Sequence, residues 1–308
     1  TWAMGGGPAW GGSSDVEESI ATILNCIDLG INLIDTAPAY NFGSSEKIIG
    51  KALKQFERDK VILITKCGIT WTKSGSPFIK VGNIELFKNL SRASIEEDLE
   101  LSLNRLGTDY IDVYMTHWQS IEPFFTPISE TMEVLNELKQ KGKIRAIGAA
   151  IVNSDQIREY VKYGDLDVVQ CKYSILDRKV EQEILPLCRE YGITMQAYSP
   201  LEQGLLTGAI GNDYTPAKGS AHFGKHWFQH ENLIKALDMI NTWGDLRTKY
   251  NCTTANLAMA WILSQGSFIN ILSGATTVAQ IEENIKALDF ELSKSDLQLM
   301  RAMAEEID

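Results

Sequence analysis

Three apolar runs in this sequence end on side chains that can hold or move a proton. "NLID" closes on Asp35, "ILITK" on Lys66 and "VYMTH" on His117, and a phenol, Tyr40, follows Asp35 by five residues. One charged strand end is explained by a structural salt bridge. Three on successive strands, with a tyrosine beside the first, point to chemistry instead. A tyrosine with its ordinary pKa near ~10 is a poor acid at neutral pH until a cation lowers that value. Lys66 can supply the cation. Asp35 can fix Lys66 and keep it charged in a low-dielectric site. His117 can orient a substrate oxygen or share its proton. The chemistry that fits is proton delivery to a carbonyl oxygen. A proton alone does not reduce a carbonyl, so a hydride donor is also needed, which implies a bound nicotinamide.

These side chains need strands that bring them to one place. Apolar, β-rich runs alternate with runs of helical period along most of the chain. Strands are expected at 31–37, 61–68, 111–117, 146–151, 168–174, 193–199 and 271–275. Helices are expected near 16–29, 44–56, 92–106, 127–141, 154–163, 181–191, 231–249, 254–264, 277–288 and 295–306. The strand runs are continuous rather than alternating, as in parallel strands covered on both faces. Seven such strands, each followed by a helix, predict an α/β fold, a (β/α)8 TIM barrel with its first strand missing from the recorded sequence. A doubly wound sheet is the competitor, but no G-x-G-x-x-G follows a strand and opens a helix. The Gly5–Gly7 run leads into Pro8 and Trp10 and reads as a flexible loop. No linker or low-complexity tract interrupts the chain, so residues 1–308 are expected to form a single barrel domain. Two long connections, 69–90 and about 202–229, leave the ends of strands where barrel active sites form, and are expected to be lids or binding loops.

Composition narrows the partners. The chain has 308 residues and a net charge of -11, from 29 basic against 40 acidic residues, which disfavours nucleic acid and anionic membranes. Five cysteines form no C-x-x-C pair and read as reduced thiols of a cytoplasmic protein. No apolar run approaches membrane-span length and no signal peptide is evident. His222, His226 and His230 recur every four residues, a spacing that would suit a metal on a helix. Gly219 and Gly224 interrupt any such helix, so no metal is expected, and the histidines read as polar residues of the long loop.

The segments "GINLIDTAPAYNFGSSEKIIGKAL", "ITKCG", "LGTDYIDVYMTHWQ" and "GKIRAIGAA", in that order, resemble the aldo-keto reductase family over essentially the whole chain. The resemblance implies a barrel that binds NAD(P)H without a Rossmann motif, with Tyr40 as general acid and Asp35, Lys66 and His117 as its partners. It implies that Gln170 holds the nicotinamide amide, that Tyr198 stacks on the ring, and that Ser199, Leu201 and Gly204 face the pyrophosphate. Ser273, Gly274, Thr276, Gln280, Glu283 and Asn284 would form the adenosine-binding end, and Trp2 and Trp118 would line the substrate pocket. "GPAW", "MTHWQS", "KYSILDR", "PLEQGLLTG" and "ILSGAT" resemble the bacterial branch with NADH-dependent reductases of methylglyoxal. It further implies a short hairpin and first strand, roughly twenty residues, ahead of Thr1.

Two departures from the family's pattern carry expectations of their own. Members that prefer NADPH place cations at the positions of Gly274 and Gln280, and no Lys or Arg lies between Leu272 and Ile285 here. A phosphate dianion without a cation is costly to bury, so NADH is expected over NADPH unless a loop lysine such as Lys218 or Lys225 substitutes. After the fifth strand the family carries an Asn that bonds the nicotinamide amide, whereas this chain has Ile151. Asn153, two residues on, would point to the same side of an extended segment and is a candidate replacement. The expected function is reduction of small aldehydes or 2-oxoaldehydes. The alternative is a non-catalytic NAD(H)-binding or partner-binding module on the same fold.

Overall fold

The computed structural model describes residues 1–6 and 15–307. The "GPAW" segment at 7–10, and with it most of the loop expected after Gly5, lies outside the described residues. Among the described residues ten strands follow one another: β1 (Leu33–Asp35), β2 (Ile62–Cys67), β3 (Ile69–Thr70), β4 (Ser76–Val81), β5 (Ile84–Lys88), β6 (Ile111–Thr116), β7 (Ile144–Ala150), β8 (Val168–Lys172), β9 (Thr194–Tyr198) and β10 (Ile269–Ile271). The helices are α1 (Val16–Asp28), α2 (Ser44–Leu53), α3 (Arg92–Leu106), α4 (Ile128–Gln140), α5 (Ser154–Tyr163), α6 (Ile184–Tyr191), α7 (His230–Asn241), α8 (Gly244–Tyr250), α9 (Thr254–Leu263), α10 (Val278–Ile285) and α11 (Lys294–Glu305).

Seven strands pair in parallel in the order β1-β2-β6-β7-β8-β9-β10, and the helices cover their outer face, which is the expected barrel. The two end strands are drawn round toward each other. Helix α1, before β1, packs against α10, after β10, and the Thr22 hydroxyl reaches the Thr276 carbonyl at 3.4 Å. The Thr1 hydroxyl bonds the Asp35 carbonyl at 2.8 Å on the outer edge of β1.

Side chains alternate across each strand, and this period decides which residues meet inside. Leu63, Tyr114, Ile147, Val169 and Met195 point outward into the main core with the helices. Leu33, Ile64, Val113, Met115, Ala146 and Val168 point inward and fill the barrel's lower interior. Gly148 on β7 leaves little room for a side chain: a Cβ there would lie 2.5 Å from Met115 Cε and 3.2 Å from the Val168 carbonyl oxygen. Continuing the same alternation upward places Asp35, Lys66, His117, Gln170, Gln196 and Tyr198 on the inner face at the strands' C-terminal ends.

The structure departs from expectation in three elements. The connection 69–90 is not a loop but an antiparallel sheet in the order β3-β5-β4. "PFIKV" and "IELFK" flank Gly82-Asn83, and Gly82 takes φ +59 at the first turn position, as a tight hairpin of this hand requires. The helix expected over 231–249 breaks between Asn241 and Gly244, where fully buried Trp243 turns the chain inward. The last strand lies at 269–271, two residues earlier than expected, because Ile269 and Ile271 pair with Met195 and Ala197. Ser273 to Ala275 therefore belong to the loop beyond it.

Candidate active site

Lys66 is the centre of the cluster. Its side chain is 0 % exposed, and its ammonium donates to Asp35 Oδ1 at 2.7 Å, to the Thr36 carbonyl at 2.8 Å and to the Tyr40 hydroxyl at 3.3 Å. Burial alone would lower its pKa, but the Asp35 carboxylate and the Tyr40 oxygen outweigh that and hold it above the ordinary value. The ammonium is therefore charged at neutral pH. The His117 ring meets the Tyr40 ring edge-on, with centroids 5.6 Å apart. Burial and the nearby Lys66 charge push the imidazole well below its ordinary pKa, so His117 is neutral and has an N–H to offer rather than a proton to give.

Tyr40 itself corrects one expectation. Burial raises the phenol's pKa, Lys66 lowers it and Asp35 raises it again, and the net direction is upward. Desolvation of a phenolate outweighs the single cation beside it. The tyrosine therefore rests as the protonated phenol, poised to donate.

Local structure sets these side chains. After β1 the chain turns through Asn41 and Phe42, both at positive φ, and through Gly43 at φ +83. A Cβ on Gly43 would lie 2.7 Å from Arg105 Nε, so only glycine fits. Arg105 in turn bonds buried Glu46 at 2.9 Å, and Glu46 accepts from Thr65 on the outer face of β2 at 2.7 Å. This pins α2, and the turn bearing Tyr40, to the strand that carries Lys66. Of the seven described non-glycine residues at positive φ, six lie in connections leaving this end of the barrel: Asn41, Phe42, Ile151, Ser199, Glu202 and Gln203. Strained backbone concentrates where the side chains must be aimed.

Gln170 Nε2 donates to Asp35 Oδ1 at 2.9 Å and to Gln196 Oε1 at 3.2 Å, so both glutamines belong to the cluster. Gln196 was not anticipated, although its place two residues before Tyr198 puts it on the inner face. Tyr198 is half-buried, its phenol pushed up to about 12 by burial first, with the Asp177 and Glu202 carboxylates adding to the shift. Beyond it, Ser199, Leu201 and Gly204 form a loop held by a buried carboxylate, Glu202, which bonds Lys172 at 2.8 Å and the Ser174 hydroxyl. Leu201 packs with Ala255 and Met259 on α9 and with Ala287 just beyond the end of α10, which holds this loop against both elements.

Ser273, Gly274, Thr276, Gln280, Glu283 and Asn284 lie together on the β10–α10 loop and α10. Gln280 Oε1 accepts from the Thr276 N–H at 2.8 Å and closes the loop. Asn270 Oδ1, Ser273 Oγ and Glu283 Oε1 are buried without a hydrogen-bond partner. An open cavity of about 840 Å³ adjoins Glu283, lined also by Thr253, Asn256 and Lys286. An unmet polar atom on a residue lining open space fits a polar ligand such as adenosine. Lys286 is engaged by Glu283 at 2.9 Å, and the Lys218 and Lys225 side chains are exposed with no ion pair or hydrogen bond among the described residues.

Several expected residues sit otherwise than anticipated. Asn153, the candidate replacement for the amide partner, is already engaged. It is exposed and caps α5, its Oδ1 accepting from Gln156 N–H at 2.9 Å while Gln156 returns the bond at 3.0 Å. The extended segment assumed for it does not exist, because Ile151 turns the chain at φ +54. Trp118 follows His117 and packs on Phe78, ring centroids 5.0 Å apart, whereas Trp2 is 41 % exposed at the rim. His222 bonds the Tyr214 hydroxyl at 2.7 Å and the Gln203 carbonyl at 3.0 Å, and it stacks on Phe228. It fastens the long loop over the Glu202 segment, and the three histidines do not converge.

A sequence model of the aldo/keto reductase family matches residues 1–305. The chain is 59 % identical over 308 residues to the NADH-specific methylglyoxal reductase of Escherichia coli, spanning 100 % of this chain and 94 % of that protein. It is 38 % identical to the aldo-keto reductase YhdN of Bacillus subtilis over 99 % of this chain and 88 % of that one. Among solved structures, the glycerol dehydrogenase AKR11B4 from Gluconobacter oxydans superposes with a TM-score of 0.89 at 32 % identity, covering 99 % of this chain and 90 % of that one.

Proposed function

The chain belongs to the aldo/keto reductase family, and from that premise we propose that it reduces small aldehydes and 2-oxoaldehydes of the methylglyoxal type, with NADH preferred over NADPH. The observation that carries the reading is the Tyr40 hydroxyl held 3.3 Å from a buried, charged Lys66. NADH, when bound, supplies the hydride. Gln170, Tyr198 and the Ser199–Gly204 loop would hold its nicotinamide half, and Ser273, Gln280, Glu283 and Asn284 its adenosine. The neutral His117 donates an N–H to the carbonyl oxygen and sets its direction. As negative charge develops on that oxygen, Tyr40 gives up its proton, and Lys66 stabilises the phenolate left behind. Asp35 keeps Lys66 charged and in place. Carbonyl, hydride and proton together make the alcohol.

The absence of a cation on the stretch from Ser273 to Asn284 supports NADH, as does the name of the Escherichia coli relative. One barrel domain, with a small carbonyl compound as its partner, accounts for every feature of the site. The test is NADH oxidation followed at the nicotinamide absorbance with methylglyoxal, with NADPH in parallel. Turnover with NADH and little with NADPH is expected. Measurable NADH binding without turnover would instead favour a non-catalytic cofactor-binding module.

A further inference from the structure

The sheet formed by β3, β4 and β5 closes over the mouth of the barrel, and its inward face is apolar. Ala39, Phe42, Trp71, Phe78, Leu86 and Trp118 meet there, between the turn that carries Tyr40 and the residue that follows His117. Lys88 shares the inward face of β5 with Leu86 and is only 8 % exposed. Its ammonium lies 4.6 Å from the Trp118 ring centroid and 4.9 Å from that of Phe78. No carboxylate lies within salt-bridge distance of it, and it donates no side-chain hydrogen bond among the described residues. The acidic groups of the neighbouring helix are engaged elsewhere: Asp98 and Glu97 both pair with Lys73, at 2.8 and 3.3 Å. Burial without a compensating acid lowers its pKa. The one other lysine this deeply buried among the described residues, Lys66, has three partners.

A lysine inside an aromatic cluster with nothing to pair with is costly, and two ring faces offset only part of that cost. A ligand that brings the missing negative charge removes the deficit. We propose that Lys88 is a substrate-binding residue that selects aldehydes carrying a carboxylate, whose reacting carbonyl lies at Tyr40 and His117. This rests on the reductase reading above and names its substrate class more narrowly. One ammonium between two flat rings suits a planar monoanion. A phosphate dianion would call for more positive charge, and Lys73, the next cation along the same connection, is already neutralised by its two acids.

The test compares wild type, Lys88→Met and Lys88→Arg, with NADH, on three pairs of matched length: glyoxylate with acetaldehyde, succinic semialdehyde with butanal, and glutaric semialdehyde with pentanal. The readout is the ratio of kcat/KM for the charged over the neutral member. In the wild type this ratio should exceed roughly tenfold for at least one length, should collapse toward unity in Lys88→Met through KM, and should be largely restored in Lys88→Arg. A purely structural clamp would lower both members together and leave the ratio unmoved, and that result overturns the proposal. A second measurement does not depend on turnover. Calorimetric binding of succinate to the NADH-loaded protein should weaken at least fivefold in Lys88→Met, even though Tyr40 and His117 can themselves take a carboxylate. Equal binding by both proteins also overturns the proposal. Lys88-dependent binding with no turnover of any aldehyde would sustain the anion site while defeating the reductase reading.

Discussion

At the scale of single residues the site works by setting protonation states with burial and one charge. Tyr40 is kept a phenol and His117 a neutral imidazole by burial first, while Asp35 and Tyr40 keep Lys66 an ammonium against burial. Tyr40→Phe removes the proton donor and little volume. It should lower kcat by a factor of ~10² or more, the usual size of a general-acid contribution, while NADH affinity stays within about twofold. Equal loss of turnover and NADH binding would mean that Tyr40 holds the cofactor rather than the proton. Ile151 is a β-branched residue at φ +54, a conformation that asparagine tolerates far better. Ile151→Asn should therefore stabilise the fold, by an amount on the order of 1 kcal/mol, and tighten nicotinamide binding by presenting an amide. A lower melting temperature with weaker NADH binding would show that the isoleucine packs in a way the asparagine cannot. Asp35, Tyr40, Lys66 and His117 were legible in the sequence because each ends or follows an apolar run. The state of Tyr40 was not, since the balance between desolvation and Lys66 depends on how deeply both are buried.

At the scale of elements, α10 and the loop before it form an uncharged surface. Gln280 sits in the first turn of that helix and ties back to Thr276. Gln280→Arg should raise the NADPH-over-NADH ratio of kcat/KM by roughly tenfold, the value of one charge-assisted hydrogen bond of about 1.5 kcal/mol. If the ratio does not move, the ribose 2′ position is read by some other element. The small sheet of β3, β4 and β5 shows where sequence reading fell short. Its glycines, serines and lysines have the composition of a loop, and the Gly82-Asn83 turn between two alternating segments was the signal that identifies a hairpin. The division between α7 and α8 had no comparable signal. The helical period continues across it, and only the need to bury Trp243 breaks the backbone there.

At the scale of the molecule, pH couples the site to stability. His117 and His222 both have folded-state pKa values below the ordinary histidine value, by burial first in each case. The unfolded chain therefore binds more protons than the folded one once pH falls below about 6.5. Stability from these groups is complete above that value and is lost as pH drops toward the folded-state pKa values. Melting temperature should thus be flat from neutral to mildly alkaline pH and fall below about 6, and His222→Gln should blunt that fall. An unchanged acid limb in that variant would place the effect elsewhere. No helix among the described residues is long and apolar enough to cross a membrane. The sequence alone determined the parallel barrel and placed Asp35, Lys66, His117, Gln170 and Tyr198 at its mouth, because strand period and chain order dictate which side chains end up on the inner face. Tertiary structure decided what those residues can do. It set the protonation of Tyr40 and His117, gave Asn153 to a helix cap, and left Lys88 buried without an acid. Each of these depends on which groups surround a side chain in space, and that arrangement is not fixed by local spacing.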